Sequence, residues 1–221
     1  MKVIDELATP ETMRHAMVAS QLRTNAVDDP RVVAAMAKVP RERFLPAGAA
    51  ALAYRDTAIP LGAGRWANVP MATGRLLTRA DLRAADRVLL IGAAGGYTAA
   101  VLARIVAEVT AVESDPALAD HARRALATSR NVRVIEGDLA AGDPGGAPYD
   151  LLMVDGAVEE LPAALLDQVA VGGRVVTGLI ERGVNRLALG RKTANGFGLF
   201  AFADAESVAL PGFARPTAFR F

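Results

Sequence analysis

Residues 89–98 read Leu89-Leu90-Ile91-Gly92-Ala93-Ala94-Gly95-Gly96-Tyr97-Thr98. An apolar run ends in a glycine-rich turn, and a helix-compatible segment over 97–106 follows. Small residues let the backbone approach a ligand closely, and the first turn of a helix offers free N–H groups. Taken alone, such a turn suits a ligand site and a purely structural strand-to-helix connection equally well.

Working outward, further short apolar runs occupy 109–112, 132–135 and 151–154, and helix-compatible segments over 97–106 and 116–127 separate the first three runs. Apolar strands alternating with helices predict βαβ units and a parallel sheet covered on both faces. A fifth strand is predicted over 173–180. Segments 185–192 and 197–202 form a closing pair around Asn195-Gly196, a hairpin-turn signal. The expected fold is α/β, a Rossmann-like, doubly wound, mostly parallel sheet with a helical N-terminal extension. In that extension, Thr9-Pro10-Glu11 starts a helix running to about Thr24, and Asp28-Asp29-Pro30 starts a second through about Lys38. Pro40 and Pro46 interrupt the chain, 54–70 reads as an ordered but irregular loop marked by Pro60, Gly62 and Gly64, and a helix over 71–79 follows.

The strand ends carry polar groups at telling intervals. Glu113 closes the second strand, where a nucleotide-binding βαβ unit places an acid for the ribose hydroxyls. Asp138, with Leu139 beside it, closes the third, where a carboxylate can accept from an adenine amine. Either acid could instead cap the following helix. Their succession at one sheet edge argues for nucleoside binding by Gly92, Ala93, Gly96, Glu113, Asp138 and Leu139. A dinucleotide turn wants glycine at its first, third and sixth positions, which here are Gly92, Ala94 and Tyr97. The tyrosine would obstruct close helix–strand packing, and Ala94 would crowd a pyrophosphate. The pattern therefore favours S-adenosylmethionine, which has no phosphate, over a nicotinamide dinucleotide.

The bulk numbers narrow the class. The 221 residues are 52% hydrophobic, with 25 basic against 24 acidic side chains and a net charge of +1, so nothing suggests an electrostatic nucleic-acid binder. Cysteine is absent, which removes disulfides, thiolate nucleophiles and cysteine-ligated metal. The two histidines, His15 and His121, lie on separate predicted helices without ligand spacing, so no metal is expected. No stretch reads as a signal peptide or a membrane helix, and a cytoplasmic protein is the default expectation. The apolar tail with Leu210, Phe213, Phe219 and Phe221 either packs back on the domain or marks a dimer contact; a monomer or weak dimer is expected.

The sequence resembles the protein-L-isoaspartate O-methyltransferase family over most of its length. Val39-Pro40-Arg41-Glu42-Arg43-Phe44-Leu45-Pro46 is similar to that family's VPRExFVP segment, Ala53-Tyr54-Arg55-Asp56 to AYxD, and Ile59-Pro60-Leu61-Gly62 to lPiG. Gly95-Gly96-Tyr97 with Ala99-Ala100-Val101-Leu102-Ala103 is similar to SGYxAAVLA, and Gly137-Asp138 and Gly172-Gly173-Arg174 also fit. The resemblance implies a class I methyltransferase domain spanning 1–221, with 1–80 as helical extension and substrate-side loop and 81–221 as the cofactor-binding core. It implies methyl transfer from S-adenosylmethionine, leaving S-adenosylhomocysteine, to the free carboxylate of isoaspartyl residues in damaged proteins or peptides. Asn68 stands where the family has its active-site serine, and Asn68, Asp56 and the loop around them are implied to meet the substrate.

Four departures touch the chemistry. Gly64-Arg65-Trp66-Ala67-Asn68-Val69-Pro70 replaces the family's GxTISQP, with Trp66 either a lid anchor or a packing residue. Leu90 takes the position of an acid, and Ala94 that of the central glycine. Asp155 ends the fourth strand, where it could repel a carboxylate substrate, recruit the cofactor's amine or cap a loop. A catalytically degenerate or repurposed cofactor-binding homologue, acting on another acceptor or as a binding module, is the alternative these departures motivate.

Overall fold

The computed structural model describes residues 9–215; the expectations for residues 1–8, Phe219 and Phe221 lie outside that range. Thr9 caps α1 (Pro10–Ala16) by accepting from the Thr12 amide at 3.2 Å. The helical path continues with wider winding over Met17–Leu22 and a tight turn at Arg23–Asn25, close to the predicted end. Asp29 caps α2 (Pro30–Lys38). Proline at the first helical position of both helices costs no hydrogen bond, since that amide has no intrahelical partner.

A two-stranded antiparallel hairpin, β1 (Ile59–Gly62) and β2 (Arg65–Ala67), stands apart from the main sheet. It corrects the expectation of an irregular loop over 54–70. Its turn uses positive φ at Gly62, Ala63 and Gly64, which two glycines make accessible. α3 (Pro70–Arg79) follows.

The main sheet is built from β3 (Arg87–Ile91), β4 (Glu108–Glu113), β5 (Val132–Glu136), β6 (Tyr149–Val158), β7 (Val169–Glu181), β8 (Val184–Thr193) and β9 (Gly196–Asp204). Their spatial order is β5-β4-β3-β6-β7-β8-β9, parallel through β7 and antiparallel beyond it. The chain crosses over through α4 (Tyr97–Leu102), α5 (Pro116–Ala125) and α6 (Ala163–Asp167). α4 stops short of the predicted 106, and the five-residue α6 was not foreseen. The strand order reverses between β3 and β6, so the crevice at their carboxyl ends is the place where such a sheet binds ligands.

Two apolar layers flank the sheet. On one face Val88, Leu90, Met153 and Val176 pack with Met17, Leu22, Met36 and Leu76 of the N-terminal helices. On the other, Leu89, Ile91, Leu152 and Val175 pack with Leu165 of α6 and with Leu210 and Phe213. The tail thus turns back onto the sheet as far as it is described. Alternation of residues between the two faces is the period of two that any strand imposes.

The glycine-rich turn is crowded by its own chain. A Cβ on Gly95 would lie 2.0 Å from the Phe44 carbonyl oxygen, and one on Gly92 would lie 2.9 Å from Leu210. Gly95→Ala is expected to destabilise the fold by at least the ~1–3 kcal/mol of an overpacked core. A thermal melt reads this directly; an unchanged Tm would mean that the 41–44 turn yields without cost.

Candidate functional site

Two of the polar groups, Glu113 and Asp155, are buried at the crevice. Each is fixed by groups that the sequence alone did not connect.

Glu113, at the end of β4, is fully buried. Its Oε1 accepts from the Ser114 amide at 2.9 Å and the Asp115 amide at 3.0 Å, and its Oε2 from the Ala94 amide at 2.6 Å. Arg65 completes the arrangement from β2: its Nε donates to Oε1 at 3.0 Å and its Nη2 to Oε2 at 2.9 Å. Arg65 is itself 4% exposed, so this is a buried, two-pronged ion pair, the geometry in which a guanidinium holds a carboxylate best. A carboxylate offers about four lone-pair directions, and these donors use them.

Asp155 lies just beyond the last β3–β6 pair, Ile91 with Val154. The strand itself continues to Val158, so Asp155 is within it rather than at its end. An irregularity in the β6–β7 register between Met153 and Ala157 loosens the ladder here, a common device for re-aiming a side chain. Its carboxylate accepts from Asn68 Nδ2 at 2.9 Å, from Thr73 Oγ1 at 2.8 Å and from the Thr98 hydroxyl in a short contact. It therefore ties together the 65–70 segment, α3 and α4.

Asn68 is 4% exposed. While its amide nitrogen serves Asp155, its Oδ1 accepts from the Val69 amide at 3.0 Å, Ser207 Oγ at 3.1 Å and the Val208 amide at 3.2 Å. It thereby pins the returning tail, which runs beside Ala157 through Ala157 N to Val208 O at 2.6 Å and Leu210 N to Ala157 O at 2.9 Å. Leu210 is then seated over Gly92 and Gly156.

The remaining predicted residues divide. Asp56 accepts from the Met71 amide at 2.9 Å and so steadies the start of α3. Asp138 is exposed and caps its own loop at Ala140 N, 2.9 Å away, whereas Leu139 is buried in the second apolar layer. Gly92, Ala93 and Gly96 form the turn, with Gly92 and Gly96 at φ of 80° and 101° and the Gly92 and Ala93 amides both directed to the Val112 carbonyl at 3.0 Å. Leu90 is wholly buried in the core. Trp66 is 45% exposed on the hairpin.

The segments that carry the resemblance brace the same region. Arg41 is 2% exposed, donates from Nη2 to the Asn68 carbonyl at 2.7 Å and lies 5.0 Å from the centroid of the Tyr97 ring. Burial lowers the pKa of its guanidinium and raises that of the Tyr97 phenol. Tyr54 donates to Glu42 in a short hydrogen bond, and burial first, then that carboxylate, push the phenol up to about 12. Arg174 is the exception: it pairs with Asp86 at 2.6 Å, both buried, at the start of β3 and so at the sheet edge opposite the crevice.

What remains between these groups is a gap of about 20 Å³ lined by Arg41, Leu45, Asn68, Ala94, Tyr97 and Asp155. That volume suits a single water, whereas small-molecule sites span some 300–1,000 Å³. Among the described residues, no group of three or more acids or histidines is placed to hold a metal ion, and no helix is long and apolar enough to cross a membrane.

Against known proteins, the family model for protein-L-isoaspartate(D-aspartate) O-methyltransferase matches residues 13–209. The chain belongs to this family. A Rhodopseudomonas palustris protein-L-isoaspartate O-methyltransferase 1 is 40% identical over 214 residues, covering 95% of this chain and 87% of that one. A Methanoculleus marisnigri protein-L-isoaspartate O-methyltransferase is 41% identical over 165 residues, covering 74% and 75%. Among solved structures, a protein-L-isoaspartate O-methyltransferase superposes with a TM-score of 0.77 at 23% identity, over 92% of this chain and 66% of that one. A Plasmodium falciparum protein of the same name, in complex with S-adenosyl-L-homocysteine, gives 0.76 at 19% identity, over 89% and 97%. At those identities the structural likeness speaks for the fold, and it agrees with the Rossmann-like sheet.

The family's methyl donor is S-adenosylmethionine. The residues present do not admit it in this conformation. The carboxylate expected to receive its ribose is taken by Arg65, and Leu210 covers Gly92.

Proposed function

We propose that the chain is a protein-repair methyltransferase, which esterifies the free carboxylate of isoaspartyl residues in damaged cytoplasmic proteins. The family match over residues 13–209 carries this reading. The chemistry supports it. A carboxylate with a pKa near ~4 is already an anion at neutral pH, so the protein has to orient and desolvate it rather than deprotonate it. The histidines accord with that: His15 is exposed on α1 beside Glu11, and His121, on α5, is not among the residues that line the gap between Asn68 and Asp155. In this reading the N-terminal helices and the sheet act as one domain. Gly92, Ala93, Gly96, Glu113, Asp138, Leu139 and Asp155 make the cofactor side, and Asn68 and Asp56 position the substrate-side loop.

Incubation with methyl-labelled S-adenosylmethionine and an isoaspartyl peptide, with the aspartyl peptide as control, tests the reading. Base-labile label on the isoaspartyl peptide alone is expected; label on neither peptide counts against it. The Arg65–Glu113 pair favours a second reading, a methyltransferase fold kept as a binding module. Absence of both transfer and cofactor binding in calorimetry would support that one.

A further inference from the structure

We propose that Arg65 is a built-in competitor of the cofactor: its guanidinium occupies Glu113 in place of a ribose diol, and the β1–β2 hairpin must withdraw it before a nucleoside binds. The inference rests on reading Glu113 as the ribose acceptor. Its structural basis is the pairing itself. Both prongs of the guanidinium are used at 3.0 and 2.9 Å, and the remaining acceptor directions of the carboxylate go to the amides of Ala94, Ser114 and Asp115. A diol donates two hydrogen bonds to the same oxygens, so diol and guanidinium exclude each other.

The hairpin is built to move as a unit. Among the described residues it pairs only with itself. Gly62 and Gly64, which bound its turn, meet no neighbouring atom where a Cβ would stand. A cavity of about 350 Å³ lies along its flank, between Leu61, Gly62 and Ala63 on one side and Leu118, His121 and Arg124 on the other, so that side is not packed against the core. Trp66, next to Arg65, faces solvent. The hairpin is held inward by buried Ile59, by Ala67 and by the Arg65 pair, and among the described residues that pair is its one side-chain ion pair, an attachment that a ligand could replace. When the competent state is a small fraction of the population, apparent affinity falls by that fraction, and removing the competitor restores it.

Calorimetric titration of S-adenosylhomocysteine into the whole chain and into Arg65→Gln tests this. Glutamine retains length and polarity but lacks the second prong and the charge. Binding at least tenfold tighter in Arg65→Gln is expected. Equal or weaker binding in the variant, or no binding by either protein, overturns the proposal, because Arg65 is then not what keeps the nucleoside out. Should the variant fail to fold, hydrogen exchange on the wild-type chain decides. Saturating S-adenosylhomocysteine should speed exchange of the amides at 63–67 if the hairpin withdraws, and slowed exchange there would show a hairpin that closes on the ligand instead. The peptide assay separates this from the functional reading. Tighter variant binding without label transfer by either protein removes the repair reading and leaves the competitor. Transfer by the wild type with unchanged variant affinity does the reverse.

Discussion

Glu113→Leu is expected to lower stability by about 3–5 kcal/mol, the usual cost of removing one partner of a buried ion pair. For a chain of this size that corresponds to a Tm fall of roughly 6–20 °C. The loss has two parts. Arg65, 4% exposed, is left as an uncompensated buried cation, and the amides of Ala94, Ser114 and Asp115 lose their acceptor. The second part makes the pair different from an isolated salt bridge. Replacing both partners by apolar residues of similar volume is often neutral elsewhere, but Arg65→Met with Glu113→Leu cures only the stranded cation. The double variant is therefore expected to lie between the wild type and the Glu113→Leu single. Melts of the wild type, both singles and the double give the coupling energy. A double variant equal to the sum of the singles would show that the two side chains do not meet in solution, and would remove the basis for Arg65 as a competitor.

The sheet was legible because parallel strands buried on both faces must be apolar runs, and because each run is followed by its own punctuation. Gly92 after β3 and Glu113 ending β4 fall where the pattern put them, and the β8–β9 turn lies one residue earlier than read, at Ala194-Asn195, with Gly196 opening β9. The caps at Thr9 and Asp29 were legible for the same local reason: a short polar side chain followed by proline has one economical use. The hairpin was not. β2 has three residues and β1 four, too few for alternation to register, and three glycine or proline landmarks in the same window read as irregularity. α6, a five-residue helix after Pro162, is equally short.

The candidate site shows the same division. That Gly92, Glu113 and Asp155 converge follows from topology, since parallel strands deliver their carboxyl ends to one edge. What those groups touch does not follow. Arg65 reaches Glu113 across 48 residues, Asn68 reaches Asp155 across 87, and Ser207 reaches Asn68 across 139. No local pattern encodes such pairs. The nearest sequence signal was the departure of the 64–70 segment from the family motif, which marked the place without revealing the partner. The VPRExF and AYxD matches were legible as a family signature, but their work became visible only in three dimensions: Arg41 holds the Asn68 carbonyl, Tyr54 holds Glu42, and Asp56 holds the start of α3.

Asn68 is where sequence and structure pull hardest in different directions, and Asn68→Asp resolves its role. By the resemblance the position faces chemistry; in the fold its amide bridges Asp155 to Ser207 and Val208. An aspartate there places a second carboxyl 2.9 Å from an Asp155 oxygen, in a site closed to solvent. Protonated, the introduced group donates one O–H to Asp155 and accepts with its other oxygen, much as the amide does. Ionised, it cannot donate and it repels its neighbour, so its folded-state pKa rises above the ~3.9 of an unfolded aspartate. The sign follows: a raised folded pKa supplies stability below about pH 4 that is lost as pH climbs through the folded value. A rise of two units would amount to about 2.7 kcal/mol at neutral pH. The variant should therefore melt close to the wild type at pH 4 and well below it at pH 8, by roughly 5–10 °C. Equal Tm deficits at both pH values would mean that the introduced carboxyl is hydrated and that Asn68 does not bridge Asp155 to the tail in solution.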